Sequence, residues 1–175
     1  MTKTNCQELL LSSLNQYYNN NIKNKELFNN IINGKHKLSL RLIDWFVTHY
    51  ARNNNIYYWT NNLDIFEQLP DNFNDNNIKK VNIYLDYRAQ LKSYTKLYFD
   101  TFRRHQRISF YINDNISIET TIGQLNFFRW IFNNNILELT VSSSIINISS
   151  FEIGFLELSL IKLSSSWGCF FKNPT

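Results

Sequence analysis

The chain has 175 residues, a net charge of +4, 43% apolar and 16% aromatic residues. That length fits one domain able to bury a core without disulfides or metals. Its two cysteines, Cys6 and Cys169, lie in no CxxC or His-Cys spacing, which argues against a zinc site or disulfide framework and for a reducing, intracellular home.

The first thirteen residues hold only a three-residue apolar run, unlike a signal peptide. The longest apolar-rich stretch, 151–163, is broken by Glu152, Glu157 and Lys162 and is too short to cross a bilayer. A protein that is soluble, or attached through partners, is expected. Charged residues make up only 18%, and 27 Asn fill much of the polar surface. The Asn runs are short and interleaved with Ile, Phe, Tyr and Trp, which a disordered chain would lack. They read as the imprint of an AT-rich coding sequence.

Residues 4–18 and 25–33 are predicted helices, with Gly34 as the C-cap of the second. A third helix is expected over Lys37 to Arg52. There Leu38, Leu42, Trp45, Phe46 and His49 share one side, Ile43, Val47 and Tyr50 widen it, and Arg41 and Asp44 face out. His49 would then be a buried, neutral histidine. Residues 56–60 (IYYWT) read as a strand, 61–78 as loop around a short turn, and 81–87 (VNIYLDY) as a second, alternating strand.

From Asp86 to Arg107 the chain fits a helical wheel. Tyr87, Leu91, Tyr94 and Tyr98 form one stripe, and Arg88, Lys92 and Lys96 another, about 100° round. Asp86 suits the positive end of the helix dipole, and Arg103 and Arg104 the negative end. Two alternating runs, 107–112 and 116–121, are predicted to form a hairpin about Asn113-Asp114-Asn115, whose residue types tolerate left-handed backbone. Thr121 and Gln124 have capping-box spacing. The helix they open carries Leu125, Phe128, Phe132 and Ile136 on one stripe and Phe127, Trp130 and Ile131 on another. Asn126, Arg129 and Asn133 are its only polar line. It is expected to be the central core helix.

Composition breaks near Glu138. Nine Ser occur in the last 37 residues against six in the preceding 138, while Asn falls from 25 to two. The expected organisation is an α+β domain over 1–138, with several helices, a small mainly antiparallel sheet and a late β-hairpin followed by a core helix. The Ser-rich tail, 139–175, is too short for an independent domain and either docks on the body or has a different origin.

Charge is the feature that points to function. Residues 79–107 hold eight Lys or Arg against Asp86 and Asp100, a net +6; the residues before balance at seven and seven, and those after carry three basic and five acidic. Concentrated charge creates a local potential that a scattered total does not. The expectation is sequence-nonspecific phosphate contact with nucleic acid or another polyanion through Arg88, Lys92, Lys96, Arg103, Arg104 and Arg107. Tyr94 and Tyr98 would stack on unpaired bases. An acidic protein partner, or a plainly solvated face, are the alternatives.

No RRM, KH, helix-turn-helix or zinc-finger pattern accompanies these cations. There is also no P-loop, GxGxxG, HExxH or GxSxG. Asp44, Asp86, Asp100, His49, His105, Arg103 and Arg104 could assemble a site, but nothing in their spacing asks for one. No catalytic residue, cofactor or metal ligand is assigned.

Three segments carry a family resemblance: KLSLRLIDWFVTHYA (Lys37 to Ala51), YRAQLKSYTKLYFDTFRR (Tyr87 to Arg104) and TTIGQLNFFRW (Thr120 to Trp130). Together, over roughly 35–137, they resemble a group of uncharacterised proteins encoded by nucleocytoplasmic large DNA viruses, the giant-virus and algal-virus lineage. The sequence departs from that pattern at Leu97-Tyr98 and Thr101-Phe102, and where it turns Ser-rich. The resemblance implies an origin without an activity. It also implies work in the host cytoplasm, at a virus factory, or in the virion, where a structural protein that self-associates or binds an acidic partner is the second functional expectation.

Overall fold

A computed structural model describes residues 3–60, 65–66, 78–104 and 106–142. The expected loop over 61–78, apart from 65–66 and Ile78, and the tail beyond 142 lie outside the described residues, as does His105. The chain divides into two compact units, Met1–Leu137 and Glu138–Thr175.

The fold is α+β. Two helices open it, α1 (Lys3–Asn20) and α2 (Ile22–Ile32). Gly34 ends α2 at φ 68°, with its N–H donating to the Ile31 carbonyl. Ser39 caps α3 (Leu40–Trp45), which runs through a π-helical turn (Phe46–Tyr50) into the short α4 (Ala51–Asn53). A three-stranded antiparallel sheet of order β2-β1-β3 follows, from β1 (Tyr57–Thr60), β2 (Ile65–Phe66) and β3 (Lys79–Asn82). Then come α5 (Ile83–Tyr94), a 3-10 turn (Lys96–Tyr98), the hairpin β4 (Ile108–Asn113) and β5 (Ile116–Thr120), α6 (Ile122–Asn133) and α7 (Ile136–Ser142).

Five local expectations are corrected. Asp44, expected to face out, is half-buried and accepts from Thr101. His49 is exposed, not buried. In the π turn the Ala51 N–H donates to the Phe46 carbonyl, five residues back, and the extra residue rotates everything after it. The buried side becomes Ile43, Phe46, Val47 and Ala51, while His49 Nδ1 lies 2.8 Å from Thr48 Oγ1. The strand expected over 81–87 stops at Asn82, whose side chain accepts from the Leu85 N–H at 2.9 Å and starts α5. That helix ends at Tyr94, because Thr95 takes φ 63°. The hairpin turn needs no left-handed residue among 113–115; the Asn115 N–H donates to Asn113 Oδ1 at 3.0 Å instead.

α6 is the core helix. Ile122, Leu125, Phe127, Phe128, Trp130, Ile131 and Phe132 are all buried, and Asn126 with them. On one side Phe28 meets Phe128 and Phe110, and Tyr18 packs on Phe28 and Phe110 while its hydroxyl donates to the Leu125 carbonyl at 2.9 Å. On another, Phe127 and Trp130 pack with Tyr87 and Phe99 at centroid distances of 5.8–6.2 Å. Edge-to-face pairs of this kind add to the gain from burial.

The first turn of α6 approaches the 97–100 backbone closely. A Cβ at Gly123 would lie 3.0 Å from the Asp100 carbonyl oxygen and 3.4 Å from that of Leu97. Half of the expected capping box forms: Thr121 Oγ1 accepts from the Gln124 N–H at 3.1 Å. The Gln124 side chain turns away to accept from Thr120 Oγ1 and to donate to the Thr101 carbonyl at 3.2 Å. Thr101 in turn donates to Asp44 Oδ1 at 2.8 Å, tying α3 to the same knot.

Burial pushes the Asp44 carboxyl above its ordinary value of 3.8; the Thr101 bond opposes this, Asp100 adds to it and His49 opposes it. A carboxyl raised in the fold contributes most below its unfolded pKa and loses that contribution as pH rises through the folded value. Asp44→Asn keeps the acceptor and removes the charge. Urea unfolding should therefore find it at least as stable as wild type at pH 7, with the difference closing toward pH 3.5; a deficit at pH 7 would contradict this. Gly123→Ala should lose about 1–2 kcal/mol in the same measurement, because the backbone clash outweighs Ala's better helix propensity.

Candidate nucleic-acid interface

α5 buries Ile83 and Tyr87 and turns Leu85, Arg88, Ala89, Lys92 and Ser93 to solvent. Arg88 and Lys92, one turn apart, therefore share an exposed line. Lys96 is exposed as well, but it lies beyond the break at Thr95, so it does not continue that line as the wheel predicted. The break has a cause on the inner side. Phe99 is fully buried against Tyr87, Phe127 and Trp130, and a helix continued past Tyr94 would not deliver it there.

Arg103 and Arg104 are exposed in the turn after buried Thr101. Asp100 organises that turn, accepting the Phe102 N–H on Oδ1 at 3.0 Å and the Arg103 N–H on its carbonyl at 3.4 Å. Arg107 opens the hairpin and pairs with Glu119 at 3.8 Å, side chains 60% and 71% exposed. An exposed pair at that distance contributes little stability, but it offsets part of the local positive potential.

Tyr94 and Tyr98 are half-buried. Tyr94 lies parallel to Phe99, 6.0 Å between centroids and 10° between planes, and its hydroxyl accepts from Arg129 Nη2 at 3.1 Å. The Tyr98 carbonyl accepts from Asn126 Nδ2 at 3.0 Å. The Tyr94 ring thus also serves packing.

The structure adds an aromatic face that sequence reasoning missed. Tyr57 and Trp59 point to one side of β1, with Tyr58 turned into the core. Lys80 stands opposite Trp59 across the β1–β3 ladder, its ammonium 3.5 Å from the Tyr57 ring centroid and 5.3 Å from that of Trp59. Arg52 lies 5.5 Å from the Tyr84 ring. Cations over aromatic faces attract through the ring quadrupole. The signal was present in IYYWT, where period-2 alternation puts Tyr57 and Trp59 together, and in the Lys79-Lys80 pair.

Among the described residues no group of three or more His, Cys, Asp or Glu could hold a metal ion, and no helix is long and apolar enough to cross a membrane.

The model of a family of unknown function, DUF7197, matches residues 2–151. The chain belongs to this family. An uncharacterised protein of Acanthamoeba polyphaga mimivirus is 33% identical to it over 139 residues, which are 73% of this chain and 47% of that protein. The chain thus spans about half the length of the curated relative it matches, and the giant-virus resemblance stands. No solved structure matches it.

Within this DUF7197 member the three segments that carried the resemblance meet. Asp44 from the first bonds Thr101 from the second, which bonds Gln124 from the third. Their shared pattern is therefore first a packing pattern, with the cations on the outside of the middle segment. Glu119→Gln should release Arg107 and strengthen binding to a polyanion such as heparin, read as later elution from a heparin column. Unchanged elution would place Arg107 outside the binding surface.

Proposed function

We propose that this protein binds nucleic acid through phosphate contacts, without sequence preference, using Arg88, Lys92, Lys96, Arg103, Arg104 and Arg107. The observation that carries this reading is that all six side chains are exposed, while among the described residues Arg107 alone of the six has an acid at ion-pair distance. Cations left in water this way keep the counterion-release term that drives association with a phosphate backbone. Trp59, and the face of Tyr57 that the Lys80 ammonium does not cover, supply ring surface on which unpaired bases stack, which favours single strands over duplex.

A second reading has its own support. Leu85, on the same outward line as Arg88, is 64% exposed, and Phe102, next to Arg103, is 51% exposed. Apolar groups flanking cations suit an acidic protein partner in virion assembly.

Fluorescence polarisation with labelled single- and double-stranded DNA and RNA across a salt series decides between them. Replacing Arg103 and Arg104 together by Gln should weaken binding equally on all sequences. It should also lower the salt slope by about 1.4 on single strands, two phosphate contacts' worth. An unchanged slope would overturn the assignment, and no binding at low salt would favour the protein partner.

A further inference from the structure

A second site lies on the opposite side of α5 from Arg88 and Lys92. Gln90 and Tyr94 face a cleft of about 540 Å3 between α1, α5 and α6, a volume ordinary for a small-ligand site. The polar line of α6 opens into it. Asn126 is buried and Arg129 half-buried, and Asn133 stands exposed at the rim.

Arg129 is held from three directions. Its Nη1 donates to Ser13 Oγ at 3.2 Å, and its Nη2 to Tyr94 Oη at 3.1 Å and to Asn126 Oδ1 at 2.8 Å. All three acceptors are neutral, and among the described residues no Asp or Glu lines the cleft. Asp86 is engaged behind the wall, accepting from Trp130 Nε1 at 2.7 Å and from Gln90 Nε2 at 3.5 Å. A guanidinium carries five N–H donors, so its Nε–H and one Nη1–H are left without a partner among the described residues. The group is thus fixed, partly desolvated and without a counter-ion, and little side-chain freedom remains to be lost when an anion arrives.

The rest of the cleft narrows the anion's class. Gln16 and Asn20 of α1 and Asn133 of α6 are exposed carboxamides at its edge, each able to give and accept a hydrogen bond. Half-buried Tyr17 supplies ring surface, whereas the Tyr94 ring is already stacked on Phe99 with Arg129 over it. A guanidinium for phosphate, carboxamides for a planar polar edge and a flat apolar wall are what a nucleotide requires. We infer that this cleft binds a nucleoside phosphate, with the phosphate on Arg129 and the base at the carboxamide rim. The site is independent of the phosphate-binding cations proposed above.

Isothermal titration of the full chain with AMP, GMP, UMP and CMP, with the matching nucleosides and with inorganic phosphate tests this. At least one nucleotide should bind saturably below 1 mM, about tenfold or more tighter than its nucleoside and than phosphate alone. Arg129→Lys should weaken that binding about tenfold, since the ammonium loses the planar fork. Should that variant fail to fold, Gln16→Ala with Asn133→Ala, both at the exposed rim, should weaken it about fivefold or more. The Arg103→Gln, Arg104→Gln protein should bind the nucleotide as wild type does, even if it no longer binds polymer. No saturable binding by any nucleotide, equal binding of nucleotide and nucleoside, phosphate alone binding as tightly, or indifference to the Arg129 and rim changes would each overturn the proposal.

Discussion

The close approach of the α6 N-terminus to the 97–100 backbone sets the positions of both proposed binding surfaces in this fold. It depends on Gly123, where any side chain would meet the Asp100 carbonyl. With the helix seated there, Gln124 reaches the Thr101 carbonyl and Asn126 the Tyr98 carbonyl. These bonds satisfy main-chain groups that a broken helix leaves open, which would be costly in a buried place. Phe99 is thereby delivered under Tyr87, Phe127 and Trp130.

That one docking event divides α5 into two working faces. Inward, Tyr87 joins the aromatic cluster, and Gln90 and Tyr94 wall the cleft around Arg129. Outward, Arg88 and Lys92 are left in water. The break at Thr95 then sends the chain into the 3-10 turn and out to Arg103 and Arg104, so the cations fall on two differently built segments rather than one ridge. Thr101 locks the exit of this segment to Asp44, at the cost of holding a carboxylate where burial disfavours its charge.

Arg129 connects three helices through neutral acceptors. A strut of that kind could have been built from amides alone. A guanidinium brings a charge that none of its three partners offsets, and among the described residues no acid lines the cleft beside it. The surface cations and this half-buried one are thus different physical objects. The first are exposed and hydrated, suited to a polymer of phosphates; the second is held and shaped, suited to one anionic group.

Much of the fold was legible in the sequence, because its signals are local. The segments of α1 and α2 read as helices, and apolar stripes marked α6; Thr121 marked the start of α6; Gly34 marked the end of α2; and the alternation on either side of 113–115 marked the hairpin. The exposure of all six named cations also followed, since charge seeks water. Other features were decided only by tertiary contacts. The π turn that exposes His49 answers the packing of Ile43, Phe46, Val47 and Ala51. The strand over 81–87 yielded to a helix because a single Asn side chain at 82 caps it, although the alternating pattern persists into the helix. Arg129 read as one residue of a polar line, and its lack of an acid depends on Ser13 and Tyr94, 116 and 35 residues away. By itself the sequence determined the α+β class, the capped core helix and the concentration of charge, since these depend on neighbours within a few residues. Only the tertiary structure decided where the basic helix ends and what surrounds each cation, because those depend on residues far apart in the chain.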